Sequence, residues 1–139
     1  MKPPAPRPCE SCPYRRDVPS GVWAAEEYDK LRDFDDDLGP RMMNVFYCHQ
    51  HDAEDDRARL CAGWVGCHGA GSIGLRIAVA SGRISRTVFA YESPVPLFAS
   101  GAEAADHGQA EIAYPSDDAA RLIDKITATR PTVNGGERR

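Results

Sequence analysis

The sequence contains no long hydrophobic run. It lacks the roughly 18 consecutive apolar residues that a membrane-spanning helix requires, so no segment is predicted to cross a membrane. The opening residues, MKPPAPRPCESC, also lack the apolar core of a secretory signal peptide. We therefore expect a cytoplasmic protein, in which reducing conditions disfavour disulfide bonds.

Several catalytic motifs are absent as well. The sequence has neither HExxH nor the H-x-E with P-C-x-x-C that zinc hydrolases and deaminases use. The G-x-G-x-x-G that begins at Gly69 follows no predicted strand, and no strand precedes Cys9 as a thioredoxin-like C-x-x-C requires. We assign no catalytic residue and do not favour an enzyme, although the loops around His49, His51 and His68 leave a catalytic site open as an alternative.

Positive charge is scarce, with 17 Lys and Arg residues against 21 Asp and Glu and a net charge of −4. This balance argues against non-specific nucleic-acid binding. One basic and aromatic stretch, Tyr14-Arg15-Arg16, follows the first two cysteines and is predicted to form a contact surface for a partner. A protein partner is favoured over nucleic acid.

Glycine and proline are abundant, at 12 and 11 of 139 residues, while apolar residues reach only 42%. Such a chain is predicted to be rich in loops and to need a covalent or metal cross-link for stability. The length fits a single domain, which we place at residues 1–130, followed by a flexible tail at 131–139. We predict a small, mainly helical α+β domain with a short strand or hairpin, stapled by a metal site.

Local patterns predict the secondary structure of this domain. Residues 42–48, MMNVFYC, are β-branched and aromatic and form the predicted strand. Capping residues and apolar periodicity predict the helices. These helices begin near Val22 with Ser20 as cap, at Ser72, at Ser85, after Ser100 and at Ser116, and Gly82 is the expected C′ residue of the second one.

Five cysteines are present, an odd number that suits a four-ligand site with one spare thiol. The C-x2-C pair can reach one tetrahedral ion from a single turn that prolines keep out of regular structure. No second C-x2-C exists, so the other two thiols must come from separate segments. The predicted ligands are Cys9, Cys12, Cys48 and Cys61, with His68, Cys67 and His49 as alternatives.

The identity of the metal stays open at the sequence level. Four thiolates in tetrahedral array suit zinc, which supplies folding energy directly. The same ligands can hold a [4Fe–4S] cluster, which tolerates dispersed cysteines. The sequence thus predicts a zinc-finger-like regulatory or interaction module, with an iron–sulfur redox or sensor protein as the alternative.

The segments CESCPYRRDVPSGVWAAEEYDKL, FYCHQ, LCAGWVGCHG and SPVPLFASGAEAA carry a resemblance to a known family. The chain resembles a set of uncharacterised small cysteine-containing proteins, a domain of unknown function, from actinobacteria and their phages. The resemblance implies that the motif cysteines are Cys9, Cys12, Cys48 and Cys61, and it implies no particular activity. A fainter likeness links the chain to iron–sulfur regulators of the same bacteria, but here the Gly-Val-Trp turn at Gly21 precedes the later cysteines.

Overall fold

The computed structural model describes residues 1–35, 40–48 and 58–129. The regular structure of these ranges is helical, and none of their helices is long and apolar enough to cross a bilayer. The predicted tail and the segment with His49 and His51 lie outside the described residues. The helices are α1 (Ala25–Asp33), α2 (Ala62–His68), α3 (Ile73–Ala80), α4 (Gly101–Gln109) and α5 (Asp117–Thr129), with 3₁₀ turns at Gly69–Gly71 and Arg86–Ala90.

The predicted α+β class is wrong, because the described ranges contain isolated β-bridges but no strand, hairpin or sheet. Residues 40–44 turn instead: the Asn44 N–H donates to the Arg41 carbonyl at 2.9 Å, and Gly74 of α3 packs on the Asn44 backbone. Within the predicted strand only Tyr47 pairs, with Leu60. β-propensity cannot build a strand here because no neighbouring strand extends the single bridge into a ladder.

The predicted helix caps are partly confirmed. Ser72 Oγ accepts from the Leu75 N–H at 3.0 Å at the start of α3, and Ser100 begins α4 in the same way. Ser20 does not cap α1, which begins several residues later, after Ala24. Its hydroxyl instead donates to the Gly108 carbonyl at 3.0 Å, so a tertiary contact replaces the predicted local one.

A cluster of buried aromatic rings forms the centre of the core. Phe34 packs edge-on against Phe46 and Trp64, with ring centroids 5.0 and 6.3 Å apart, and Tyr14 packs against Phe46 at 6.0 Å. Edge-to-face packing of this kind stabilises the fold beyond the gain from burying apolar surface. Because Trp64 belongs to α2, this aromatic packing fixes the helix that Cys61 caps.

Candidate metal centre

The C-x2-C segment forms a tight turn whose carbonyl groups are bound by distant side chains. The Cys12 N–H donates to the Cys9 carbonyl at 3.0 Å, which closes the turn. The Arg15 guanidinium donates to the carbonyls of Pro8 and Cys9 at 3.0 and 3.3 Å. Trp23 Nε1 donates to the Ser11 carbonyl at 2.9 Å. The two thiols therefore project from a backbone that has little freedom to move.

The residues predicted to form a contact surface, Tyr14, Arg15 and Arg16, differ in exposure. Tyr14 is fully buried, and Arg15 is only 9% exposed. Arg15 makes a bidentate ion pair with Asp17 at 2.8 Å, which raises the pKa of Arg15 and lowers that of Asp17. Of the three, only Arg16 is exposed, with its guanidinium over the Phe98 ring. Arg15 thus supports the cysteine turn, and the contact surface stays a prediction.

Cys48 and Cys61 are brought together by the antiparallel bridge between Tyr47 and Leu60. The Cys48 N–H donates to the Arg59 carbonyl, and the Cys61 N–H donates to the Phe46 carbonyl, both at 2.9 Å. Cys61 is also the N-cap of α2, where its sulfur accepts from the Trp64 N–H at 3.5 Å. A backbone amide directed at sulfur is a favourable partner for a thiolate.

The four predicted ligands line a single cavity of about 270 Å³ that is partly open to solvent. We call Cys9, Cys12, Cys48 and Cys61 the thiol cluster. Arg7 and Arg59 also line the cavity. Three segments that are far apart in sequence thus contribute a cysteine to one site.

The thiols of the cluster shift the pKa values of their neighbours. Hydrogen bonding to Cys12 and Cys48 holds the pKa of Cys9 well below its ordinary value. Cys12 Sγ lies 3.9 Å from Cys61 Sγ, and its contacts with Cys61 and Cys9, together with burial, raise the pKa of Cys12 well above its ordinary value. The first thiolate is stabilised by its neighbours, and further thiolates are disfavoured without a cation.

Gly63 makes this close approach of Cys12 to α2 feasible. A Cβ built at residue 63 would overlap Cys12 Sγ and would lie 2.8 Å from the Cβ of Tyr14. Any residue larger than glycine at position 63 would therefore displace the Cys12 thiol. The small residue is visible in the sequence as Cys61-Ala62-Gly63, but its role depends on a contact with Cys12, 51 residues away in the chain, that only the fold reveals.

Within the described ranges, no group of three or more His, Cys, Asp or Glu side chains is arranged so that it could hold a metal ion. The thiols of the cluster would therefore have to move to bind one ion. A cysteine reaches new sulfur positions by rotation about one χ1 bond, so this adjustment does not require the backbone to move. The Cys12 and Cys61 sulfurs are already 3.9 Å apart.

The alternative ligands lie elsewhere. Cys67 is partly buried on α2 and is not part of the cavity lining. The His68 side chain is 6% exposed, packs against the rings of Tyr14 and Trp64, and places Nε2 3.6 Å from Asp35 Oδ1. His68 thus belongs to the aromatic core. His49 lies outside the described residues.

Sequence reasoning missed the two arginines of the cavity. Arg7 precedes the C-x2-C turn and Arg59 precedes Cys61 by two residues, so their proximity to cysteines was visible in the sequence. Their convergence depends on the parallel bridge between Lys2 and Arg59, in which the Leu60 N–H donates to the Lys2 carbonyl at 3.1 Å. This bridge places the N-terminal arm beside the segment that carries Cys61.

These features define a small helical protein with four converging thiols at the junction of three segments. Residues 4–130 match the model of a family of unknown function, DUF6283, and the chain belongs to that family. No curated protein and no solved structure matches it. The match confirms the resemblance to an uncharacterised family.

Proposed function

We propose that this protein is a small metal-binding module in which the thiol cluster holds one zinc ion. The observation that carries the proposal is the lining of one cavity by four thiols from three separate segments. The cysteines are reduced, so none of the four is committed to a disulfide. Zinc with four thiolates is a common structural site, and binding to such a site contributes directly to folding free energy.

The distance between the buried sulfurs of Cys12 and Cys61 favours a single zinc ion over an iron–sulfur cluster. Zinc–sulfur bonds of about 2.3 Å in a tetrahedron place two ligand sulfurs about 3.8 Å apart. The Cys12 and Cys61 sulfurs are 3.9 Å apart. In a [4Fe–4S] cluster each cysteine binds a different iron atom, which holds the sulfurs further from one another. This pair is therefore better matched to a shared zinc ion.

The charges around the cavity support the same proposal. Four thiolates around a doubly charged cation leave an excess of negative charge at the site. Arg7 and Arg59 line the cavity and can offset that excess. A cation would also favour the thiolate form of Cys12, whose pKa is raised by its hydrogen bonds with Cys61 and Cys9 and by burial.

The zinc ion would act as a structural staple. It would join the N-terminal arm, the segment that ends at Cys48 and the start of α2, which are otherwise linked by isolated bridges. A role as a regulatory or interaction module, a cytoplasmic location and an actinobacterial or phage origin complete the proposal. The location suits the chemistry, since reducing conditions keep thiols free.

Elemental analysis of the protein purified without oxygen tests this proposal. We expect one zinc ion per chain and no visible absorption band. Iron and sulfide together with a visible absorption band would instead indicate an iron–sulfur cluster bound by the same thiols. A protein that contains no metal and binds none when zinc is added would overturn the metal centre altogether.

A further inference from the structure

A second cavity lies beside the start of the N-terminal arm, and the described residues that line it include no cysteine. It has a volume of about 680 Å³ and is partly open to solvent. Met1, Pro3 and Pro4 form one wall, and residues from the segment 82–91 form the other. This volume lies within the range of about 300–1,000 Å³ that is typical of small-molecule sites. The cavity is therefore a candidate site that is distinct from the metal centre.

Part of the lining is apolar and belongs to the core. Ile84 and Val88 line the cavity, are 8% and 5% exposed, and pack with the other core side chains. The Tyr91 hydroxyl, from the same segment, donates to the Pro6 carbonyl of the arm at 3.2 Å. The two walls are thus tied to one another, and the cavity is preformed, as small-molecule sites usually are.

Arg83 is the one charged side chain among the described residues that line this cavity. Its Nε donates to Ser81 Oγ at 3.2 Å, and it makes no ion pair within the described ranges. The two terminal Nη groups are therefore left to bind another acceptor. A guanidinium binds a carboxylate through parallel N–H···O bonds, so an anion is the natural ligand for this side chain.

Ser85 offers a second hydrogen-bond donor to the cavity. Its Oγ accepts from both the backbone N–H and the hydroxyl of Thr87, at 3.2 and 3.1 Å. A hydroxyl oxygen whose lone pairs are both in use still carries its own proton, which it can donate. Ser85 is exposed and lines the cavity. Together with Arg83 it presents donors, which again suits a negatively charged ligand.

The segments that form the cavity carry positive charge and no negative charge. Residues 1–9 and 58–91 contain six Lys and Arg residues and no Asp or Glu, although the whole chain has a net charge of −4. Charge of one sign around a cleft raises the local concentration of ligands of the opposite sign. An anion that enters the cavity therefore meets no carboxylate from the segments that line it.

We propose that this cavity binds a small monocarboxylate with an apolar body. Arg83 and Ser85 receive the carboxylate, and Ile84 and Val88 contact the apolar part of the ligand. A single negative charge matches the single charged side chain of the lining, whereas a dianion such as a phosphate monoester would bring an unpaired charge against apolar side chains. The inference does not depend on the metal centre.

Titration of the isotope-labelled full chain with octanoate, followed by NMR, tests the inference. We expect saturable shifts of the amide signals of residues 82–91. Octan-1-ol has the same apolar chain without the charge. It should bind about 10–100-fold more weakly, because a hydrogen bond between two charged groups is stronger than one to a neutral hydroxyl.

Arg83→Gln separates a direct contact from general electrostatic attraction. Its affinity for octanoate should fall by about 10–100-fold, while its affinity for octan-1-ol should stay unchanged. Arg86→Gln is the matched control, since it removes the same charge at a nearby exposed residue that is not part of the lining. This control should bind octanoate as the natural protein does.

Ala90→Trp blocks the cavity from an exposed position of its lining. Both probes should lose saturable binding in this variant. Ala120→Trp, at an exposed position of α5, is the control for the added indole ring and should bind both probes normally. Circular dichroism checks that both variants keep the helical content of the natural protein.

Other outcomes overturn the inference. These are the absence of saturable shifts with octanoate, shifts centred outside residues 82–91, equal affinity for octanoate and octan-1-ol, or an equal loss of affinity in Arg83→Gln and Arg86→Gln. The two proposals fail separately. A protein that binds octanoate in this cavity but never binds zinc would overturn the metal centre alone, and a zinc-loaded protein that does not bind octanoate would overturn only this inference.

Discussion

The cysteine region and the α1–α4 pair are held together by different means. In the cysteine region, which comprises residues 1–15, 46–48 and 58–65, isolated β-bridges and the thiol cluster connect the segments. In the α1–α4 pair, two helices pack through close side-chain contact. Gly108 of α4 lies directly against the Tyr28 ring of α1, and Arg32 donates to Asp106 at 2.9 Å across the pair.

The difference indicates where the proposed metal ion would add most to stability. The helical pair buries apolar surface and satisfies its own backbone, because each helix carries its hydrogen bonds internally. The cysteine region shares the aromatic core through Tyr14, Phe46 and Trp64, but its backbone pairing consists of isolated bridges, each of which fixes little of the chain. A metal ion would supply there the cohesion that packing supplies between α1 and α4.

The largest expected effect comes from Cys12→Ser. Because metal binding energy is folding energy, the variant should lose stoichiometric zinc and several kcal/mol of unfolding free energy. Metal content is measured by elemental analysis and stability by thermal melting followed by circular dichroism. A variant with full metal content and unchanged melting would show that Cys12 is not a ligand.

Cys67→Ser is the control for that experiment, because Cys67 lies on the same helix as the cavity but is not part of its lining. Its zinc content and melting should stay close to those of the natural protein. Loss of zinc in this variant would mean that the fourth ligand has been assigned wrongly.

Gly63→Ala probes the cysteine region without removing a thiol. The new Cβ would overlap Cys12 Sγ, so the ligand must shift, and we expect zinc affinity to fall about 10–100-fold, as for other changes that disturb the support of a metal ligand. Competition with a chromogenic chelator measures the affinity. An unchanged affinity would contradict the position of Cys12 against α2.

Gly108→Ala makes the same chemical change in the α1–α4 pair. Its Cβ would overlap the Tyr28 ring, and overpacking of this kind costs about 1–3 kcal/mol. Zinc affinity should be unchanged, since the contact lies outside the cavity. The loss of stability is measured by denaturant unfolding of the zinc-loaded protein. A fall in zinc affinity would show that the two regions are not independent.

Ser100→Ala should have the smallest effect. Ser100 Oγ accepts from the Glu103 N–H at 3.1 Å, and removal of such an N-cap costs about 1 kcal/mol. The same denaturant experiment measures this loss. A variant as stable as the natural protein would indicate that the packing of α4 on α1, and not its cap, fixes the start of the helix.

The sequence predicted those features that depend on local chemistry. The Ser72 and Ser100 caps were found because an N-cap acts within three residues, and Gly82 has the positive φ of 78° expected of a C′ glycine. Features that depend on distant partners were missed. Ser20 bonds to Gly108 instead of capping α1. The stretch at 42–48 lacks a neighbouring strand, so its β-propensity misled the prediction.

The candidate site was predictable in part for the same reason. Two thiols at C-x2-C spacing are a local signal, whereas the choice of Cys48 and Cys61 over Cys67 depends on which segments meet in space. The structure places both beside the turn through the bridge between Tyr47 and Leu60. Arg7 and Arg59 each precede a cysteine by two residues, but only the fold brings them to one cavity, and the metal itself stays a prediction.

The two tryptophans give this molecule built-in optical reporters. Trp23 Nε1 donates to the Ser11 carbonyl inside the cysteine turn, and Trp64 lies on α2 three residues after Cys61, while α1 and α4 contain no indole ring. Fluorescence excited at the red edge of the indole band should therefore report on the surroundings of the cysteine turn and of α2. Compared with circular dichroism, which follows all the helices, it can show whether the two regions come apart in one step or in two.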